Sequence, residues 1–576
     1  MNPVPVLVLL GLMSGNNLFL GDKWKNADLQ QVSSRFEFAL GNGTTNTLCS
    51  LCEKLAGTFL VAVKLNVPIQ FIKNELGRLC PETLISKKIC EGFIDVYVPT
   101  VMSALKQSQS TAKDICSLLL GERCPYEHGL LHEWNVSFPN VGKPDTAEST
   151  PQVGTPTLKV LQLTDLHLDL NYVEGTNGNC REPICCRRSS TVDQLVVFPA
   201  GRWGHYRCDP PKNMIEDMLG SIAKRHPDLD YIILTGDLVP HDDWNETRES
   251  ALEHIDVTIA KLKEFFPNTR VFPALGNHES VPDGSYLPPQ INELDLTSTW
   301  LYEKIAELWH DWIPNTEDAT ILLGGYYSHL VRPGLRVVSL NTNFCYKFNW
   351  WLYADSTDPA GQLQWLVQLL QKAENIGEKV HIIGHMAPGD DDCLKVWSRN
   401  YYDIVNRYES TIKAQFFGHT HSDEFKLFYD DVNPDRPINI AYVAPSVSPW
   451  DLMNPAYRIY HIDGDHDTTT REVVDHETWI FDLDEANEQF QDTPQWFRLY
   501  SAKDAYNLSS LKPSEWNKLI ESMRTDTSLF DVFYRHYHRD SPVIDKYNPE
   551  EKLAVLCNLK SGRSRDKAKT CSGLKH

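Results

Sequence analysis

The stretch Asp230-Tyr-Ile-Ile-Leu-Thr-Gly-Asp-Leu-Val-Pro-His241 holds an apolar run, rich in β-branched residues, that ends on a glycine and an aspartate. Such a run predicts a buried strand that delivers Asp237 to the carboxyl edge of a sheet, where a loop begins at once. His241 lies in that loop. Its role is open at this point: a second ligand beside the carboxylate, a catalytic acid, or an ordinary loop histidine.

Strand-like runs alternate with helical ones from Leu158 to about residue 463. Alternation of this kind predicts an α/β domain whose ligands lie beyond the strand ends. Five strand ends are followed by residue types that bind metals: Thr164-Asp165-Leu-His167, Gly236-Asp237, Gly276-Asn277-His278-Glu279, Gly384-His385 and Gly418-His419-Thr-His421. Carboxylate, imidazole and amide ligands suit Zn, Fe or Mn better than Ca or Mg. Each motif alone is weak, because a lone Gly-His is usually a turn, but together they predict a metal site.

In the order DxH, GD, GNHE, GH and GHTH, the five motifs resemble the signature of the calcineurin-like metallophosphoesterases. The resemblance implies a sandwich of two sheets flanked by helices that binds two metals. It assigns Asp165, His167, Asp237 and His421 to one metal, and Asp237, Asn277, His385 and His419 to the other. Paired cations bind phosphoryl oxygens and lower the pKa of a bridging water. The implied chemistry is phosphoester hydrolysis by a metal-bound hydroxide.

The leaving group of such a reaction is an alkoxide, which needs a proton donor near the ester oxygen. His278, which follows the predicted ligand Asn277, and His241 are the two candidates for this catalytic role. The sequence does not rank them. The alternative for His241 is a loop histidine that only hydrogen-bonds a phosphate or the backbone.

Fourteen cysteines are present, and only Cys49-Ser-Leu-Cys52 has the spacing of a metal-binding pair, so we expect disulfides and an oxidising compartment. Six of the cysteines lie on a helix-like background between about residues 45 and 128. Their order resembles the saposin-type domain, a small all-α bundle that opens an apolar face toward lipid. The resemblance implies the pairs Cys49–Cys124, Cys52–Cys116 and Cys80–Cys90. The alternative is a disulfide-tied helical module with no lipid role.

The remaining segments complete a multidomain order. Residues 1–20 are predicted to be a signal peptide. Their apolar run has the length of a signal peptide, is too short to span a bilayer and is followed by the small residues Ser14 and Gly15; a buried N-terminal helix is the alternative. Residues 129–157 form a proline-rich linker, 158–463 the catalytic domain and 464–576 a helical C-terminal subdomain.

The net charge of the chain bears on its binding partners, and its glycosylation sequons bear on its route through the cell. The formal net charge of -22, without a basic patch, argues against a nucleic-acid partner. Four Asn-x-Ser/Thr sequons agree with a secretory route and are candidate glycosylation sites: Asn42, Asn135, Asn245 and Asn507.

Longer strings resemble the acid sphingomyelinase family over nearly the whole chain, among them Ser356-Thr-Asp-Pro-Ala-Gly-Gln-Leu-Gln-Trp-Leu366, Asn454-Pro-Ala-Tyr-Arg458 and Asp475-His-Glu-Thr-Trp479. The resemblance implies cleavage of membrane sphingomyelin to ceramide and phosphocholine with two Zn²⁺ per chain. It also implies transient membrane contact through the saposin-type domain, and a lysosomal or secreted location. Four further disulfides are implied: Cys180–Cys185, Cys186–Cys208, Cys345–Cys393 and Cys557–Cys571. One short C-terminal bridge of that family has no counterpart here.

Choline recognition would use an aromatic or acidic surface. Tyr457 and the aromatic run 344–353 are candidates, with core packing or a membrane-facing rim as the alternatives. The rival function is a secreted sphingomyelinase-like phosphodiesterase that acts on nucleotides or other small phosphoesters. A third hypothesis, a catalytically inactive lipid-binding protein, is disfavoured because every predicted ligand position is filled.

Overall fold

The computed structural model describes residues 45–78, 80, 86–120, 124, 133–144, 150–152, 154–180, 182–191, 196–488, 493–565 and 567–574. The predicted signal peptide and the sequon at Asn42 lie outside these ranges. Within them, no helix combines the length and the apolar character that a membrane crossing requires.

Among the described residues, a small helical region comes first. Its described helices are α1 (Thr45–Lys64), α2 (Ile69–Gly77), α3 (Lys87–Gln107) and α4 (Ala112–Leu120). Each helix buries one face, as Ile72 and Leu76 of α2 illustrate, because apolar residues recur at helical spacing. Three disulfides staple this region: Cys49–Cys124, Cys52–Cys116 and Cys80–Cys90. A unit of this size gains much of its stability from such cross-links, because they restrict the unfolded chain.

The part of the chain that the structure describes contains twelve strands, which form two six-stranded mixed sheets. The first sheet, in spatial order, contains β12 (Phe497–Ser501), β11 (Val473–Ile480), β10 (Ala456–Asp463), β1 (Thr157–Leu163), β2 (Tyr231–Leu234) and β3 (Val271–Pro273). The second contains β4 (Tyr327–Arg332), β5 (Leu335–Ser339), β6 (Lys379–Met386), β7 (Ile412–Gly418), β9 (Pro437–Val443) and β8 (Glu424–Tyr429). One apolar core includes residues of both sheets, such as Ile232 and Phe416.

Strands β1, β2 and β3 run parallel, as do β5, β6, β7 and β9, so their carboxyl ends meet at one edge of the sandwich. The remaining helices are α5 (Lys212–Arg225), α6 (Arg248–Phe265), α7 (Thr299–Trp309), α8 (Asp318–Gly324), α9 (Gln362–Ile376), α10 (Lys395–Arg407), α11 (Leu483–Glu488), α12 (Ala502–Tyr506), α13 (Pro513–Thr525), α14 (Thr527–Tyr537), α15 (Pro549–Leu559) and α16 (Lys567–Thr570). The expected fold class, a small helical region followed by a two-sheet sandwich flanked by helices, is confirmed.

The C-terminal region departs from the prediction of a helical subdomain that begins at residue 464. Strands β11 and β12 extend the first sheet beyond β10, and the helical stretch follows them. In β11, buried and partly buried residues roughly alternate, as is typical of a strand with one covered face. The prediction was wrong here because this strand is rich in polar residues and lacks the apolar run that marks the central strands.

The helical region packs against the sandwich through α3. Phe93 of this helix lies 6.0 Å from Trp244, measured between ring centroids, and a Cβ added at Gly92 would lie 2.3 Å from the backbone oxygen of Trp244. Ser108 donates a hydrogen bond to the backbone oxygen of Tyr353. Trp350, Trp351 and Tyr353 lie in the core shared with α3. The aromatic side chains of the run 344–353 are therefore buried, which agrees with the core-packing alternative. Tyr346 of this run lies 5.8 Å from the predicted ligand His419, measured between ring centroids, so a substrate contact by Tyr346 stays a prediction.

Seven disulfides join all fourteen cysteines, so none is free. Outside the helical region the pairs are Cys180–Cys185, Cys186–Cys208, Cys345–Cys393 and Cys557–Cys571. All seven are the pairs that the family resemblances imply. This many disulfides indicates an oxidising compartment such as the secretory pathway.

Candidate metal centre

The seven predicted ligands converge at the carboxyl edge of the sandwich. They lie in the loops that follow β1, β2, β3 and β7, and in the last residues of β6: Asp165, His167, Asp237, Asn277, His385, His419 and His421. Parallel strands bring this about, because their carboxyl ends lie side by side.

One group of side chains contains Asp165, His167 and His421, whose ligand atoms all lie within 4.8 Å of one another. The Nε2 atoms of His167 and His421 are 3.2 Å apart, and His421 Nε2 lies 3.6 Å from Asp165 Oδ1. Asp237 Oδ2 approaches the same group, 3.6 Å from His167 Nε2.

The second group contains Asp237, Asn277, His385 and His419. His385 Nε2 lies 3.0 Å from Asp237 Oδ2, 3.0 Å from Asn277 Oδ1 and 3.2 Å from His419 Nδ1. Asp237 Oδ2 therefore borders both groups, which is the position a bridging carboxylate requires.

Outward hydrogen bonds fix the orientation of these ligands. His167 Nδ1 donates to Val239 O at 2.7 Å, and His385 Nδ1 donates to Thr235 O at 2.8 Å, so the Nε2 atoms of both rings face inward. Asn277 Nδ2 donates to Asp283 Oδ1 at 2.6 Å and leaves its amide oxygen for the centre. Nitrogen and oxygen atoms that can only accept hydrogen bonds repel one another at about 3 Å unless a proton or a cation lies between them. The donor set therefore fits metal ions, and the outward bonds are of the kind that tune metal ligands.

The electrostatics of the cluster agree with cation binding. Burial alone would raise the pKa of Asp237, but the imidazoles of His385 and His278 hold it well below its ordinary value. Burial alone would lower the pKa of His385, but Asp237 and Asp165 raise it to about 9. A proton on His385 thus compensates the carboxylates, and metal binding would displace that proton.

Five of the seven ligands have backbone conformations that non-glycine residues seldom adopt. The positive φ angles are 50° at Asp165, 45° at His167, 57° at Asp237, 74° at His419 and 59° at His421. Such conformations cost of order 1–3 kcal/mol each and cluster at functional sites. Strain in five ligands of one cluster therefore supports a role beyond packing.

Two glycines beside the ligands allow the loops to approach one another. A Cβ at Gly276 would lie 2.0 Å from Asp237 Oδ1, and one at Gly418 would lie 2.5 Å from Asp165 Oδ2. Gly276, which precedes Asn277, and Gly418, which precedes His419, therefore leave space for the carboxylate of the neighbouring loop.

Glu279 has a structural role that its place in the GNHE motif did not reveal. Its buried carboxylate accepts hydrogen bonds from the backbone nitrogens of Gly276 at 2.6 Å, Leu238 at 2.6 Å and Asp237 at 3.3 Å. Burial, followed by repulsion from Asp237, raises the pKa of Glu279 to about 7. The side chain ties the loop of Asp237 to the loop of Asn277.

His241 lies beside the cluster and is held from two directions. Asp209 accepts hydrogen bonds from the His241 backbone nitrogen at 2.8 Å and from its Nδ1 at 2.9 Å. The ring stacks between His167 and Trp450, with a centroid distance of 3.7 Å to each. Asp209 and Trp450 come from loops that the sequence patterns did not single out. The arrangement leaves Nε2 as the ring nitrogen free of Asp209.

His278 also lies at the cluster. Its backbone nitrogen donates to Asp237 Oδ1 at 3.0 Å, and its Nδ1 is 3.2 Å from Asp243 Oδ1. Burial alone would lower the pKa of His278, but Asp237, Asp283 and Asp243 raise it well above the ordinary value. Both predicted catalytic histidines therefore border the ligand groups.

Tyr457 lies elsewhere. Its side chain is fully buried on β10, where its ring stacks on Trp479 and packs against Trp496, and its hydroxyl lies 3.2 Å from His226 Nε2. None of these partners belongs to the cluster. The predicted substrate contact at Tyr457 is therefore wrong, because a nearby sequence motif does not reveal on which face of a strand a side chain lies.

An ion pair between Asp392 and Lys347 lies beside His419. Asp392 Oδ2 lies 3.5 Å from His419 Nε2, and Lys347 forms an ion pair with the other oxygen of Asp392. The loops that carry Lys347 and Asp392 are joined by the disulfide Cys345–Cys393. Two loops distant in sequence thus orient one predicted ligand.

Comparison with known proteins agrees with this geometry. Residues 158–423 match the calcineurin-like phosphoesterase family, which together with the Asp and His groups defines a dimetal phosphoesterase centre. The chain is 41% identical to sphingomyelin phosphodiesterase of Bos taurus (91% of this chain, 83% of the relative) and 40% identical to that of Homo sapiens (93% and 84%). Sphingomyelin phosphodiesterase 2 of Caenorhabditis elegans is 36% identical (83% and 81%). The chain therefore belongs to the sphingomyelin phosphodiesterase family.

Proposed function

We propose that this protein hydrolyses sphingomyelin in membranes to ceramide and phosphocholine. The observation that carries the proposal is that seven predicted metal ligands converge in two groups and that one of the seven, Asp237, borders both groups, in a chain of this family. Hydrolysis of nucleotides or other small phosphoesters remains the alternative outcome of the tests below.

The two cations of the proposal are Zn²⁺. Asp165, His167, Asp237 and His421 would hold one ion, and Asp237, Asn277, His385 and His419 the other. Imidazole nitrogens, which supply most of the ligands other than carboxylates, suit a borderline metal. When bound, such a pair supplies an activated water and offsets the negative charge that develops on the phosphoryl oxygens.

His241 is the proton donor for the leaving ceramide oxygen in this proposal. Asp209 accepts a hydrogen bond from the N–H at Nδ1, so Nε2 is the ring nitrogen available to pass a proton to the leaving oxygen. Stacking between His167 and Trp450 limits ring rotation, so Nε2 keeps one direction. A positioned general acid contributes about 10²–10⁴-fold to turnover of a poor leaving group.

His278 supports the same step from the neighbouring loop. Its backbone contact with Asp237 and its position 3.2 Å from Asp243 hold it beside the cluster. A ring whose pKa is raised by three neighbouring carboxylates can donate a hydrogen bond to a phosphoryl oxygen. His278 thus binds substrate, whereas His241 delivers the proton.

The helical region presents lipid to this centre. Four apolar side chains near the junction of α1 and α2 are exposed: Val61 (58%), Leu65 (72%), Ile69 (40%) and Phe71 (58%). Exposed apolar groups that lie close together favour a membrane or partner surface. The loop from Asp237 through His241 ends at Trp244, which contacts α3, so the region borders the loop of the catalytic histidine.

The test compares sphingomyelin in vesicles with a soluble phosphocholine ester, p-nitrophenylphosphorylcholine, on the full chain. We expect phosphocholine release from vesicles, and loss of release in a His421→Ala variant. The double variant Leu65→Ser with Phe71→Ser should lose about tenfold or more on vesicles but keep its rate on the soluble ester. Ile376→Ser is the matched control, because Ile376 is also exposed (68%) but lies on α9.

Two outcomes would contradict the proposal. Absence of vesicle hydrolysis with intact activity on soluble esters would favour the alternative function. An equal loss in the Ile376→Ser control would remove the special role of the helical region.

The protein is also proposed to be glycosylated in the secretory pathway and to act in lysosomes or outside cells. Asn135, Asn245 and Asn507 are all exposed, as an acceptor asparagine must be. Treatment of secreted protein with a peptide N-glycosidase should lower its apparent mass, and each Asn→Gln variant should remove one step of that shift.

A further inference from the structure

A buried arginine from the C-terminal region lies behind the wall of the metal centre. Arg539 follows α14, is fully buried, and has a φ of 54°. Its Nε and Nη2 have no hydrogen-bond partner among the described residues. A buried cation with unpaired donors is costly, so its presence asks for an explanation.

The Nη1 group of Arg539 makes all of the side chain's hydrogen bonds to a single segment. It donates to the backbone oxygen of Ser446 at 2.5 Å, to the Ser446 hydroxyl at 2.9 Å, and to the backbone oxygen of Ser448 at 3.3 Å. The backbone oxygen of Arg539 accepts from Asn454 Nδ2 at 3.2 Å. Arg539 is thus fixed on the segment 446–450, which we call the serine segment.

The serine segment is attached to two predicted ligand loops. The backbone nitrogen of Ser446 donates to His421 O at 3.3 Å, and that of Ser448 donates to Asp165 O at 3.0 Å. These two backbone hydrogen bonds do not involve Arg539, so the ligand loops keep this attachment when Arg539 is replaced.

The same segment supports His241. The Ser448 hydroxyl donates to Asp209 Oδ1 at 3.2 Å, the oxygen that also accepts from His241 Nδ1. Trp450, whose backbone nitrogen donates to the Ser448 hydroxyl at 3.2 Å, stacks on the His241 ring. Both supports of the ring, Asp209 and Trp450, therefore depend on Ser448.

We propose that Arg539 is a positioning residue for the proton donor: it pins the serine segment, and the segment holds Asp209 and Trp450 against His241. The inference rests on the proposed function, because it assigns Arg539 to the proton transfer of that reaction. A guanidinium suits the task, since its fixed planar geometry lets one nitrogen reach several acceptors of the segment. Lysine offers a single flexible charge and would hold the segment less well.

The experiment compares two phosphocholine esters that differ only in leaving group. The leaving group of sphingomyelin, supplied in detergent micelles, is the ceramide alkoxide, which needs a proton. The leaving group of p-nitrophenylphosphorylcholine is p-nitrophenolate, which is stable without one. For the full chain we expect Arg539→Met to lower kcat for sphingomyelin by about 10²-fold or more, and for the phenyl ester by less than about tenfold. Metal content should stay at two ions per chain. The kcat of Arg539→Lys for sphingomyelin should lie between that of the parent and that of Arg539→Met.

Two variants calibrate the result. His241→Ala should show the same leaving-group selectivity in larger measure. Arg535→Met is the matched control, because Arg535 lies in the last turn of α14, four residues before Arg539, and its exposed side chain pairs with Asp540.

Equal losses on both esters in Arg539→Met, or loss of metal, would overturn the inference, since a merely structural role affects both substrates alike. If Arg539→Met does not fold, an unchanged ratio of the two rates in Arg539→Lys overturns it instead. If His241→Ala loses more rate on sphingomyelin than on the phenyl ester but Arg539→Met loses equally on both, only the role proposed for Arg539 is contradicted. If His241→Ala also loses equally on both esters, the assignment of His241 as proton donor is contradicted as well.

Discussion

Replacement of Asp209 by asparagine should abolish the proton donor and leave the metal centre in place. Asp209 Oδ2 accepts from the His241 backbone nitrogen at 2.8 Å and lies 3.1 Å from His241 Nδ1, whereas Oδ1 is the nearer partner of Nδ1 at 2.9 Å. In asparagine, the oxygen that keeps the backbone bond would stay at the Oδ2 position, so the NH₂ group would replace the nearer partner of Nδ1. An NH₂ group opposes a proton on Nδ1 and carries no negative charge, so this arrangement favours a ring that accepts at Nδ1.

A ring that accepts at Nδ1 cannot carry protons on both nitrogens, so general-acid catalysis is lost. That contribution is about 10²–10⁴-fold in kcat, or about 2.7–5.4 kcal/mol in activation free energy. Asp209 is not a predicted ligand, so the metal content should not change. We therefore expect kcat for sphingomyelin to fall within this range, with a loss below about tenfold for p-nitrophenylphosphorylcholine.

The assay is steady-state turnover of both esters, with metal counted by elemental analysis. Asp318→Asn is the control, because Asp318 also faces a histidine, His310, at 3.3 Å but on the surface. Equal losses on both esters, or a sphingomyelin rate within about threefold of the parent, would refute the reasoning.

Three further predictions follow from the same contacts. Glu279→Gln turns an amide NH₂ toward backbone N–H groups that now donate to a carboxylate, so metal affinity should fall about 10–100-fold in a competition titration; unchanged affinity would contradict the role given to Glu279. Gly92→Val drives a side chain into the backbone oxygen of Trp244, so Tm should fall and vesicle hydrolysis should fall more than soluble-ester hydrolysis, whereas Gly142→Val, at which an added Cβ meets nothing, should match the parent. Removal of metal with a strong chelator should abolish hydrolysis and lower Tm, and added Zn²⁺ should restore both; chelation without effect on either would contradict a dimetal centre.

The ligand set could be predicted from the sequence because each member follows a buried strand or, like His385, lies in the last residues of one. Strands such as β2, whose four residues are all buried, appear in the sequence as continuous apolar runs, and the residue after such a run must lie at the sheet edge. Asp237 and His385 are therefore recognisable without a structure. The shared position of Asp237 Oδ2, in contrast, depends on loop conformations with positive φ that no pattern specifies.

The groups that support the ligands could not be predicted in this way. Asp209, Trp450 and Arg539 come from three separate loops, and a loop has no period from which to infer the direction of a side chain. Only the three-dimensional arrangement shows that they converge on His241. Strand β11 escaped prediction for a related reason, since its polar residues obscure the alternation of a half-covered strand.

The division of the chain into independent units is also revised by the structure. The predicted boundary at residue 463 lies at the end of β10, which pairs with β11, so the region that follows completes the catalytic sandwich. Through Arg539 the same region reaches the serine segment behind the metal centre. The C-terminal region is therefore part of the catalytic unit.

In the proposed reaction, water attacks the phosphorus of sphingomyelin at this dimetal centre. Hydrolysis of sphingomyelin vesicles by the full chain in H₂¹⁸O, with both products analysed by mass spectrometry, shows which bond is broken. We expect one ¹⁸O atom in phosphocholine, none in ceramide, and no product from a His421→Ala variant. Label in ceramide, or label-free phosphocholine, or equal product from the His421→Ala variant, would contradict it.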